Sequence, residues 1–289
     1  MQRLTCAIVS RSSSVCGPIP NDDCIVIFRS FFDGGKQPDS QQYDVLSLAS
    51  VSGTTEQWKH FENGWKQALT KHRAKWLHTT DAVSLKKDPF TKVNGWDKTR
   101  RDLFLSDCVT VIEKHMAVDG GRPGLIPYVI TIVLKDFIDF AVNNPDQISN
   151  DVTEVCAAQA VDRVIRQGAR IGAHFFCLVF DQNEPFMGHI SQRQTNRRAQ
   201  KHLKPATQRI TSIIETDMRV TPALQAADLF AWCFSHKQSG SLHEWQKRLL
   251  SHREWIDDWY DKERLTQYVK LDYYTEVKSW KLPPRRPTR

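Results

Sequence analysis

Residues 174–180, HFFCLVF, constrain the fold most, because six apolar residues follow His174 without a polar interruption. A strand that leaves one face to water alternates apolar and polar side chains, whereas a strand apolar at every position must be covered on both faces. Helices are therefore required above and below a sheet. The chain supplies them in alternation with further β-prone runs, which is the pattern of a single α/β domain around a mixed sheet.

Residues 25–32 read as a buried strand and 43–51 as its neighbour. Thr54 and Thr55 offer an N-cap, after which Trp58, Phe61, Trp65 and Leu69 repeat at helical spacing. A short strand is expected at 74–78, AKWLH, then a polar loop, then a long helix from about Asp97 to Val118. Strand 128–134 and an amphipathic helix over 151–168 precede HFFCLVF, and 210–214 is expected as the last strand. Pro222 opens a mostly apolar helix, TPALQAADLFAWCF, and the Trp-rich segment 242–260 is expected as a final helix. Residues 1–24 read as a loose N-terminal extension, 25–262 as the domain, and 263–289 as a C-terminal segment with a basic tail.

A hydrophobic fraction of 40% with nine tryptophans indicates a packed core. No apolar run approaches the roughly 18 residues that cross a bilayer. The seven scattered cysteines include no C-x-x-C pair, the usage of a reducing compartment and hence of a cytoplasmic protein without a zinc site. The net charge of +7 is concentrated between Arg193 and Arg209, where Arg193, Arg197, Arg198, Lys201 and Lys204 occur without an acid. Such a run is either a solvated helix face or a phosphate-binding surface for nucleic acid.

Three acids close apolar elements. Asp33 follows IVIFRSFF and precedes two glycines; Asp-Gly is a hairpin signal, but KQPDSQQ beyond it is not strand-like. Asp181 follows HFFCLVF, with Glu184 close behind, and Asp228 stands among apolar residues in its helix. An acid in such a helix must be exposed, paired or metal-bound. If the three converge, they suit Mg²⁺ or Mn²⁺, hard ions that prefer carboxylate oxygen and retain water. Two such ions about 4 Å apart activate a water and stabilise the leaving oxygen of a phosphodiester.

IVIFRSFFDGG, LASVSGTTEQWKHFENGWKQAL, AKWLHTTD and TPALQAADLFAW together resemble the family known as domain of unknown function 3800 over roughly residues 25–236. The resemblance implies a ribonuclease H-like fold, a mixed sheet flanked by helices, with an acidic centre. Carried over, the acids fall on Asp33, Asp181 and Asp228, and a strand-ending histidine on His78, with Asp81 nearby. The family commonly has Asp-Glu-Ser after the first strand; this chain has Asp33, Gly34, Gly35, one carboxylate fewer. The expected function is a divalent-metal-dependent nuclease. Asp33, Asp181 and Asp228 would bind metal, His78 or Glu184 would assist proton transfer or positioning, and the basic run would hold nucleic-acid phosphates. The alternative is a non-catalytic ribonuclease H-like module that binds nucleic acid or protein.

Overall fold

A computed structural model describes residues 26–37, 44–116, 124–146, 148–170, 172–182, 184–199, 209–237, 241–252 and 256–270. The N-terminal extension to residue 24, the tail from 271, and Lys201 and Lys204 lie outside the described residues.

Six strands form one mixed sheet: β1 (Ile27–Gln37), β2 (Val45–Thr54), β3 (Ile126–Val133), β4 (Phe175–Asp181), β5 (Ile210–Thr216) and β6 (Ile256–Tyr260). Their order across the sheet is β5-β4-β1-β2-β3-β6. β1 to β3 form an antiparallel meander, while β4 is parallel to β1, β5 to β4 and β6 to β3. Among the described residues the α-helices are α1 (Thr55–Lys71), α2 (Thr79–Ser84), α3 (Lys98–Met116), α4 (Leu134–Asn143), α5 (Val152–Arg170), α6 (Phe186–Ala199), α7 (Pro222–Ser235), α8 (Glu244–Leu250) and α9 (Lys262–Lys270). Among the described residues no helix is long and apolar enough to cross a membrane.

Successive side chains of a strand point to opposite faces, so parity assigns the layers. Phe31, Ala49, Val51, Val129, Cys177 and Val179 join a core with α1, α3 and α7. Phe28, Phe32, Leu48, Ile130, Phe176 and Phe180 join a second core with α4, α5 and α6. The apolar run of β4 thus feeds both cores, as its composition requires. Asp33 and Asp181 share the parity of Phe31 and Val179 and so face the α7 side. Thr54 caps α1 through a reciprocal bond with Gln57, and Trp58, Phe61 and Trp65 are buried in the first core.

Several expectations are corrected. β1 does not end at Asp33: Gly34 and Gly35 continue it, opposite Leu48 and Ser47 of β2, and a longer connection joins the strands. Gly34 lacks a side chain because a Cβ there would overlap Cε2 of Phe186, and a Cβ at Gly35 would lie 2.9 Å from the Ala231 carbonyl oxygen. Residues 74–78 form no strand. Leu77 donates its N–H to the Gln225 side chain rather than to a neighbouring strand. Segment 242–260 is α8 followed by β6, so 210–214 is not the last strand. The domain also continues past residue 262, because Leu265 of α9 is buried in the second core.

Candidate functional site

β1 and β4 pair in parallel only as far as Phe32 and Phe180. One residue later the chains carry Asp33 and Asp181, and a crevice opens where the two parallel strands part, at the carboxyl end of β4, a usual place for a ligand in an open α/β sheet. The crevice is a cavity of about 420 Å³ lined by Asp33, Asp181, Glu184, Asp228 and the His78–Asp81 pair, among others. Acids separated by up to 195 positions in the chain thus meet in one pocket.

α7 supplies the roof. Pro222 sets its first turn, where a missing N–H costs nothing. Gln225 and Asp228, three residues apart, lie on one face of the helix. Both hold the segment leading into α2. Gln225 Oε1 accepts from Leu77 N at 3.0 Å and from Trp65 Nε1 at 2.8 Å, while its Nε2 donates to the Met218 carbonyl at 2.9 Å. Asp228 Oδ2 accepts from Thr79 N at 2.6 Å and Thr79 Oγ1 at 2.8 Å. His78 is the N-cap residue of α2. Its Nδ1 lies 2.7 Å from Asp81 Oδ2. Asp81 Oδ1 is buried without a hydrogen bond, its nearest cation being Lys87 at 3.6 Å. On the sheet side, Asp181 Oδ1 accepts from Met218 N at 2.9 Å, tying β4 to the turn before α7.

The electrostatics follow from burial and crowding. Asp33 is 3% exposed and Asp228 5%. Desolvation pushes the Asp33 carboxyl well above its usual range, and the charges of Asp228, Glu184 and Asp181 push it further. Asp228 is also raised by burial, although His78 and the Thr79 donors oppose the rise. Asp181 is raised by burial against the pull of its backbone donors. Glu184 is pushed up to about 7 by burial, then by Asp181 and Asp228. Burial alone would lower the His78 pKa, but the Asp228 charge and the Asp81 hydrogen bond outweigh it, and the net direction is upward.

The five expected acid and histidine positions therefore meet: Asp33, Asp181, Asp228, Glu184 and His78 all line the cavity. Among the described residues, no three His, Cys, Asp or Glu side chains already stand at metal-coordinating spacing. The Glu184 carboxylate lies beside Gly34: a Cβ at that glycine would be 3.0 Å from Glu184 Oε2. Of the expected phosphate contacts, Arg193 is held by Asp162 of α5 at 3.2 Å and anchors α6. Arg197 and Arg198 fall in the last turn of α6.

Among the lining residues that escaped the sequence reading are Trp76, Arg219, Trp232 and His236. Gln225 was visible only as part of LQ-x-AD, and the signal that could have found it is its position one turn before Asp228. No family model matches the chain, and no curated protein matches it.

Proposed function

We propose that this chain is a divalent-metal-dependent phosphodiesterase acting on nucleic acid, with a ribonuclease H-like sheet related to the domain of unknown function 3800 family. One observation carries the reading: Asp33, Asp181, Glu184 and Asp228 line a single cavity, in which Asp228, Glu184 and Asp181 raise the cost of charging Asp33, and Asp181 and Asp228 raise that of charging Glu184. Such a cluster either holds protons or is neutralised by a cation. The mixed sheet flanked by helices supports the ribonuclease H-like assignment, as does the position of the acids where β1 and β4 part. Four buried free thiols, Cys108, Cys156, Cys177 and Cys233, support a reducing, cytoplasmic setting.

The donor set suits Mg²⁺ or Mn²⁺, because it is all hard carboxylate oxygen with no thiolate. Asp33, Asp181 and Asp228 would hold the ion, which when bound supplies Lewis acidity toward a phosphodiester and its attacking water. Glu184, titrating at about 7, exchanges a proton at neutral pH with little driving force needed in either direction. His78, whose pKa the Asp228 charge and the Asp81 hydrogen bond raise, is placed to donate a proton or a hydrogen bond to an oxygen that gains charge. Gln225 and Thr79 position this segment without touching a reacting atom. Arg197, Arg198, Lys201 and Lys204 would contact backbone phosphates.

A non-catalytic nucleic-acid- or protein-binding module is the second reading, favoured by the absence of three ligands at coordinating spacing among the described residues. A cleavage assay separates the two. Labelled single- and double-stranded DNA and RNA are incubated with the full chain and Mg²⁺ or Mn²⁺, beside Asp228→Asn. The phosphodiesterase reading expects metal-dependent cleavage that the variant loses by at least about 100-fold. Equal signal from both proteins on every substrate would leave the binding module.

A further inference from the structure

The acidic cavity carries aromatic surface that metal chemistry does not use. Trp76 lies in the coil before α2, is only half-buried, and belongs to neither hydrophobic core. An indole in that position leaves part of its ring to solvent and packs in neither core, so core packing does not explain it. The Arg219 guanidinium carbon stands 5.8 Å from its ring centre. Arg219 is also the one Lys or Arg among the described residues lining the cavity. Its own backbone N–H is fixed by Asp217 Oδ1 at 2.8 Å.

A second aromatic wall comes from α7. Trp232 and His236 stack with ring centres 4.1 Å apart and planes at 15°. Behind them the column continues through Trp245, 5.6 Å from Trp232, to His243, 5.4 Å further. Trp232 and His236 line the same cavity as Trp76 and the four acids. The column holds the α7 pair rigid, since Trp245 is buried at its base.

We propose that this cavity receives one unstacked base of a single-stranded nucleic acid, held against Trp76 and the Trp232–His236 pair, with Arg219 on an adjoining phosphate. The inference rests on the phosphodiesterase reading and specifies its substrate class. Inside a duplex each base face is already covered by its neighbours, so side-chain stacking demands a splayed nucleotide. The volume of about 420 Å³ is that of a small-molecule site and accepts a nucleotide rather than a duplex. Stacking is tolerant of base identity, so the site selects strandedness more than sequence.

Fluorescence anisotropy of the full chain with fluorescein-labelled strands of about 12 nucleotides, in Ca²⁺, tests this. The strands are deoxyribo and ribo single strands, their duplexes, and an abasic deoxyribo strand that keeps every phosphate. Base-bearing single strands should bind about 10-fold tighter than the duplex and the abasic strand. Trp76→Ala should remove that advantage, and Trp76→Phe should restore most of it. Trp232→Ala, checked for folding by circular dichroism, probes the other wall and should act in the same direction. The deoxyribo and ribo arms decide which sugar the site accepts. The inference is overturned if abasic and base-bearing strands bind equally, if duplex binds as tightly as single strand, or if Trp76→Ala has no effect. Cleavage with Mg²⁺, followed in parallel, keeps the two ideas apart. Cleavage with no strand preference sinks the stacking inference alone, whereas base-dependent binding without cleavage sinks the phosphodiesterase reading alone.

Discussion

Glu184→Gln should make the metal-free protein more stable at pH 8. The glutamate titrates near 4.5 in an unfolded chain and at about 7 in the folded one. A carboxyl whose folded pKa is raised binds more protons when folded, so stability falls as pH rises through the window from 4.5 to 7. The full difference corresponds to about 3 kcal/mol, and partial exposure of the side chain reduces it to about 2 kcal/mol. Glutamine keeps the volume and removes the charge, and it also relieves Asp33, which Glu184 helps to raise. For a chain of this size about 2 kcal/mol is a Tm increase of about 3–4 °C. Thermal unfolding by circular dichroism in EDTA measures it at pH 8, and again at pH 4, below the unfolded value of 4.5, where the wild-type carboxyl is largely protonated in both states and the two proteins should nearly coincide. Mn²⁺ at pH 8 should raise the wild-type Tm and narrow the gap. A variant no more stable than wild type at pH 8, or equally stabilised at both pH values, would refute the electrostatic reasoning.

Gln225→Ala should cost about 3 kcal/mol or more in urea unfolding, because it strands Trp65 Nε1, Leu77 N and the Met218 carbonyl in a buried setting. Asp81→Asn removes a hydrogen bond that raises the His78 pKa, so the alkaline limb of a pH–rate profile for cleavage should move to lower pH. An unmoved limb would exclude His78 as the group that must stay protonated.

Much of this architecture was legible because composition and covering are tied. β4 had to be buried on both faces, and α7 announced itself by Pro222 and a nearly unbroken apolar stretch. Asp228 was legible for the same reason, as a charge where the helix has no dry side to spare. Asp33 was placed in the right pocket for a partly wrong reason. Glycines looked like a strand end, yet Gly34 and Gly35 remain extended because Phe186 and Ala231 approach them closely. AKWLH has strand-like composition, but Leu77 N donates to the Gln225 side chain of α7, a tertiary arrangement that local pattern does not encode. β6 was hidden inside a Trp-rich segment whose first half really is helical. Charge counting alone could not show that Arg193 is spoken for, since Asp162 lies 31 positions away on another helix. Trp76 and Arg219 carry no sequence signal, because what singles them out is a shared cavity.

The central claim is that carboxylates brought together where β1 and β4 separate require a divalent cation. Isothermal titration of Mn²⁺ into the full chain at pH 6.5–7, about the Glu184 midpoint, tests it in two buffers of different ionisation enthalpy. The account predicts saturable binding with release of protons, seen as a buffer-dependent heat, and loss of both in Asp33→Asn. Binding without proton release, or the same isotherm from wild type and Asp33→Asn, would contradict it.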